Sequence, residues 1–187
     1  MKKSKKNNRI LAQQGPAGRC EACRPVGQFL KPAATNPYAG PVIDADLPRW
    51  QKTFDVNVTA PLVWTQLCWK SWMKEHGGNI INISGTTGLQ GAPNMSAHSV
   101  AQRGLIGLTQ ALAREVGGDN IRVNAVVPAA IEGSGLLRQM EARGDGQDRI
   151  REMAASSPFG RIVQVSEVTD AVLFLASERS SGMTGQA

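Results

Sequence analysis

Apolar residues along this chain change their spacing several times, and each change predicts an element. From Pro61 to Glu75 the residues Leu62, Trp64, Cys68, Trp69, Trp72 and Met73 fall on one arc at helical spacing, with Val63 and Leu67 on the other side. Such a helix needs cover on more than one face. Upstream, Asp46 is placed as an N-cap before Leu47-Pro48, where proline is tolerated in the first turn, and a separate helix is expected from there to about Asn57. Gly77-Gly78 ends the helical pattern, and "NIINIS", residues 79–84, reads as a short buried strand. After a glycine-punctuated loop, Ala101, Leu105, Leu108 and Leu112 mark a long helix over Ser96–Val116, and "GGDN" then turns into "IRVNAVV", a second buried strand over 121–127. Strand, helix, strand is a parallel crossover of right-handed sense, and parallel sheets need helices on both faces. The fold class is therefore α/β. Residues 132–160 are expected to be helix and loop over the strand ends, and Val168, Ala171, Val172 and Leu175 mark a final helix.

Residues 1–27 lack this periodicity; they are polar and basic, and are expected to be a disordered tail ahead of one domain over 28–187. Charge follows the same boundary. Eight of the 21 Lys and Arg, but one of the 15 Asp and Glu, lie in the first 31 residues, so the remainder carries 13 against 14 and the net +6 belongs to the tail. Lys2, Lys3, Lys5 and Lys6 fit a solvated terminus, and nucleic-acid binding is not expected. No apolar core follows them as in a secretory signal, and no run of about 18 apolar residues suggests a membrane span. A soluble, cytoplasmic protein is the expectation. Cys20 and Cys23 form a C-x-x-C, but a zinc site needs about four ligands and only Cys68, His76 and His98 could add to them, each in a segment that reads as packed structure. No metal is expected, and the three thiols are expected to be free.

Four blocks in order, "FDVNVTAP", "GGNIINISGTTGLQGAPN", "GLIGLTQALAREVGGDNIRVNAVVP" and "PFGRIVQVSEVTDAVLFLASERSSGMTGQ", make the chain resemble the short-chain dehydrogenase/reductase family from about Ala33 to the C-terminus, 3-oxoacyl-reductase-like members in particular. The resemblance implies a Rossmann-like doubly wound parallel sheet, here partial. It also implies hydride transfer between NAD or NADP and an alcohol or carbonyl carbon. Such chemistry moves a proton at oxygen, so it needs an acid/base near the working pH. The family uses a Tyr whose pKa of about 10 is lowered by a Lys four residues later on the same helix face. That Lys also holds the nicotinamide ribose, a Ser after the preceding strand bonds the substrate oxygen, and an Asn in the helix before it supports a proton relay.

Carried over by position, only Asn57 matches. The Ser position falls on Gly85, the Tyr position on His98 and the Lys position on Gln102. Glycine has no donor and glutamine no charge. Thr86 or Ser84 could offer a substitute hydroxyl, although Ser84 is expected on the opposite side of its strand. The family's T-G-x-x-x-G-x-G phosphate loop has no counterpart; "GTTGLQG" follows the wrong strand and "GPAG" follows none. Lys31 and Pro32 stand at asparagine positions of the turn after the family's fourth strand. Pro128-Ala129 replaces the Pro-Gly beside the nicotinamide, leaving Pro128 as the cofactor-side residue, and the carboxamide-contacting Thr is replaced near Glu132.

By this resemblance the domain lacks the N-terminal strands and the last strand, leaving an open sheet edge. Three readings follow. The favoured one is a truncated, catalytically degraded member, a pseudoenzyme or gene remnant. The second is an active oxidoreductase remodelled around His98 and Thr86. The third is a non-enzymatic partner that docks on an intact homologue through Trp64, Trp69 and Trp72. Self-association or pairing with a homologue is expected through the 59–75 and 96–116 helices.

Overall fold

The computed structural model describes residues 28–31, 34–135, 137–138 and 146–187. The basic tail and its C-x-x-C lie outside these residues. Three parallel strands form one sheet: β1 (Gln28–Lys31), β2 (Gly78–Ile83) and β3 (Ile121–Val126), in the order β1-β2-β3. Gln28 stands opposite Asn79, and Gly78 opposite Ile121. Hydrophobic spacing alone had marked two strands; β1 is a third, four residues long.

A helical run from Leu47 to His76 feeds β2. It comprises α1 (Leu47–Phe54), α2 (Ala60–Cys68) and α3 (Lys74–His76), joined by π-helical turns at Asp55–Thr59 and Trp69–Met73. The Asp46 carboxylate accepts the Arg49 N–H at 2.9 Å, as an N-cap should. The break expected ahead of Pro61 is absent. Pro61 offers no N–H to the carbonyl four residues back and its ring needs room there, and the wide turn just before it supplies that room, with the Ala60 N–H reaching Asp55 O instead. Gly77, at φ +72°, then stops the helix.

Past β2 come the short α4 (Thr87–Gln90) and the long α5 (Ser96–Val116), whose bounds are those the periodicity predicts. After β3 follow α6 (Gly146–Ser156) and α7 (Val165–Ala176). Alternation along β2 separates the two faces of the sheet. Ile80 joins Cys68, Met73, Leu112, Ala113, Ile121 and Val123 in a buried cluster against the long helices, and Asn82 on the same face donates to Thr109 Oγ1 of α5 at 2.9 Å. On the other face Asn79 donates to the Leu175 carbonyl of α7 at 2.7 Å. Helices thus cover both faces, as a parallel sheet requires.

Trp64, Trp69 and Trp72 pack against the chain's own core, and Trp69 Nε1 donates to Asp119 at 2.6 Å. The three rings remain partly exposed. The outer edge of β3 is covered by the C-terminal residues: Gly185 N–H donates to Val123 O, Ala125 N–H to Gln186 O, and Asn124 holds Met183 O and Gln186 N through its amide. Cys68, fully buried, is disulfide-bonded, which corrects the expectation that all three thiols are free.

Candidate functional site

Open parallel sheets gather loops at the carboxyl ends of their strands, and that is where Gly85, Gln102 and Pro128 come together. The β2–β3 pairing continues past the strand ends, with Ser84 N–H on Val126 O at 2.9 Å and Thr86 N–H on Pro128 O at 3.1 Å. These bonds set the Gly85 turn beside Pro128. Gly88 N–H returns to Gly85 O at 2.9 Å and closes the turn into α4.

The wall of this crevice is the first half of α5. A Cβ on Gly88 would lie 2.8 Å from Gln102 C and 2.9 Å from Arg103 N. Only glycine lets α4 approach the α5 backbone so closely. Ser84 Oγ donates to the Gln102 carbonyl at 3.0 Å and is buried, so its proton is already committed and it cannot serve as the missing hydroxyl. Gln102 itself is 3% exposed, and its Nε2 lies 3.4 Å from where a Cβ on residue 85 would stand. Gly85 and Gln102, which the resemblance sets at the Ser and Lys positions, are therefore neighbours here. His98 lies one turn earlier on the same helix, half-buried.

Thr87, unremarked in the sequence, also borders this point. Its Oγ1 lies 3.7 Å from the Gly85 Cβ position, and it is buried without a hydrogen-bond partner among the described residues, as is Gln102 Oε1. Thr86 contributes its backbone N–H to the same turn.

Asn57 is fully buried in the π-helical turn of Asp55–Thr59, and its amide is a clamp: Oδ1 accepts Thr35 N–H at 2.8 Å and Nδ2 donates to Thr35 O at 3.0 Å. It thereby fixes the loop that follows β1. Past β3, Glu132 is exposed, and its N–H donates to Val163 O at 2.9 Å beside an Ile131–Val163 bridge that ties this loop to the start of α7. A capping box opens α7, where Glu167 takes two hydrogen bonds from Arg161 and one from the Gln164 N–H, and these hold its carboxyl down at about 2. That ion pair is exposed and structural. No three His, Cys, Asp or Glu among the described residues gather as a metal site, and no helix among them is long and apolar enough to cross a membrane.

A three-layer parallel sheet with its crevice at the carboxyl strand ends defines an α/β protein of the Rossmann-like class. A family model described as enoyl-(acyl carrier protein) reductase matches residues 26–187. The chain belongs to the short-chain dehydrogenase/reductase family of oxidoreductases. It is 38% identical over 149 residues to trans-4-hydroxycyclohexanecarboxylate dehydrogenase of Sinomonas cyclohexanicum, covering 78% of this chain and 52% of the relative. It is 36% identical over 138 residues to 3-oxoacyl-acyl-carrier-protein reductase FabG of Thermotoga maritima, covering 73% and 53%. Among solved structures, an actinorhodin polyketide ketoreductase with NADPH superposes with a TM-score of 0.78 at 29% identity, over 86% of this chain and 64% of that one. A betaketoacyl-ACP reductase structure gives 0.72 at 32% identity, also over 86% and 64%. The chain thus spans about half the length of these two curated relatives.

Proposed function

We propose that this chain is a member of the NAD(P)-dependent alcohol/carbonyl oxidoreductase lineage whose site, as its residues stand, does not carry out hydride transfer. One observation carries the reading: Gln102 occupies the cation position as a neutral amide, 3% exposed and turned toward Gly85. Without a cation, nothing at that position favours a phenolate-like base, and the residue one turn before is His98 rather than Tyr. Gly85 supplies no hydroxyl to a substrate oxygen, and Ser84 cannot replace it because its proton is on the Gln102 carbonyl. Asn57 matches its family position, yet its side chain holds the Thr35 backbone.

NAD or NADP is the cofactor the lineage implies, and the residues present do not fit it. The ribose would need a cation at residue 102, and a buried amide cannot reach out as a lysine does. Pro128 would border the nicotinamide, but its carbonyl takes the Thr86 N–H. Association with a second copy or an intact homologue belongs to the same proposal, through the 59–75 and 96–116 helices, on which Val63 and Val100 stay exposed.

The test is a titration of NADH and NADPH into the purified chain, followed by Trp fluorescence. No saturable change up to millimolar cofactor is expected. Micromolar saturation would overturn the reading of the cofactor side.

A further inference from the structure

The C-terminal residues run along the outer edge of β3, held by the Gly185 N–H on Val123 O at 2.7 Å and the Ala125 N–H on Gln186 O at 2.8 Å. Between them and the second half of α5 lies an open groove of about 570 Å³, within the ~300–1,000 Å³ range of small-ligand sites. Gln110 and Arg114, one helical turn apart, line it from α5, and Thr184 and Gln186 line it from the C-terminal side. These side chains hold donors that the fold has not spent. Neither Arg114 nor Gln110 makes a hydrogen bond or ion pair among the described residues. Thr184 Oγ1 accepts the Val123 N–H at 3.0 Å, which leaves its own O–H to donate, and the Gln186 amide uses one N–H on Thr184 O at 3.1 Å and keeps the other. Arg114 in the last turn of α5 suits the helix dipole, but that role uses none of its N–H donors. No Asp or Glu lines the groove, and Ala111 and Ala113 add methyl groups to it.

We infer that this groove binds a small organic carboxylate, its carboxylate group on Arg114 and its carbon chain against Ala111 and Ala113. The lining selects that class. The planar guanidinium matches both oxygens of a carboxylate, and the Gln110 amide, the Thr184 hydroxyl and the remaining Gln186 N–H are neutral donors for the lone pairs left over. One cation balances one negative charge. A phosphate dianion would be only half compensated in a groove without a second cation, and an ammonium would face Arg114 itself. The methyl groups favour an aliphatic chain over a second charged end. Arg114 is exposed and the groove is open, so water competes for the same donors and the expected Kd is about 1 mM. At 1.5 Å per residue, Arg114 lies roughly 18 Å along the α5 axis from Gln102, so the inference does not rest on the reading of the crevice.

The test uses nuclear magnetic resonance on the full chain labelled with nitrogen-15 and titrated with sodium hexanoate at constant ionic strength. Saturable shifts of the Arg114 Nε–H and the Gln110 side-chain NH₂ are expected, with a common Kd of about 1 mM. Hexan-1-ol, which keeps the carbon chain and lacks the charge, should give neither. Arg114→Gln, at an exposed helix position, should weaken the Gln110 response by at least about tenfold, the loss of a charged hydrogen-bonding partner. Ala111→Phe, which fills the groove and keeps Arg114, should abolish the response, and the backbone amide spectrum of each variant reports that the fold is kept. No saturable shift in the unaltered chain, an equal response to inorganic phosphate, or hexanoate shifts that persist unchanged in either variant, would overturn the inference.

Discussion

Asn57→Ala separates a clamp from a catalytic relay. The Asn57 amide is fully buried and makes two hydrogen bonds to the Thr35 backbone, at 2.8 and 3.0 Å, across 22 residues of sequence. Truncation leaves the Thr35 N–H and C=O without these partners, and Thr35 is half-buried, so water reaches them only in part. At about 1–1.5 kcal/mol for each bond lost in such a setting, the expected cost is roughly 2–3 kcal/mol. For a chain of this size each kcal/mol moves Tm by about 2–4 °C, so a fall of roughly 4–12 °C is expected. Urea denaturation followed by Trp fluorescence gives the free energy directly, and hydrogen exchange at the Thr35 amide should accelerate in the variant. A change below about 0.5 kcal/mol with unaltered Thr35 exchange would refute the clamp, because surface-like tolerance at a buried amide means the two bonds contribute nothing.

Gly88→Ala drives a Cβ to 2.8 Å from the α5 backbone at Gln102, a contact that no side-chain rotation relieves, so a loss of about 1–3 kcal/mol is expected in the same denaturation assay, and wild-type stability would contradict the close approach. Leu105→Ala, at a fully buried position on α5, should cost about 2–5 kcal/mol, whereas Leu173→Ala, 61% exposed on α7, should stay within about 0.5; similar losses at both would contradict the assignment of the inner faces. The Glu167 carboxyl is lowered to about 2 by Arg161 and the Gln164 N–H, so its contribution is complete above the usual carboxylate range and is lost as pH falls through about 2. The Tm of Glu167→Gln should therefore lie below that of the unaltered chain at pH 6, with the gap narrowing toward pH 2; a gap independent of pH would rule out the ion pair as its source.

The long elements were legible because period and breakers agree. Over α5, apolar residues at Ala101, Leu105 and Leu112 face the sheet, and Val116 precedes a Gly-Gly turn, so pattern and stop signal coincide. The helical run to His76 was misread at Pro61 because the sequence shows a missing N–H but not the π-helical turn that accommodates it. β1, at four residues, is too short for its spacing to distinguish it from loop. At the crevice, the adjacency of Gly85 and Gln102 is shown by the structure, not by spacing. The bidentate bond of Asn57 to Thr35 was not legible either, since it depends on where a loop 22 residues away comes to rest.

On the proposed reading, Gly85, His98 and Gln102 together do not support proton transfer at a substrate oxygen. Steady-state turnover of a panel of ketones with NADPH or NADH, and of secondary alcohols with NADP or NAD, tests it most directly, with the unaltered chain and His98→Ala measured in parallel. General acid/base catalysis is worth about 10²–10⁴-fold. Rates for both chains are expected not to rise above the protein-free reaction. Saturable turnover in the unaltered chain, abolished in His98→Ala, would contradict it and make His98 the acid/base of a working site.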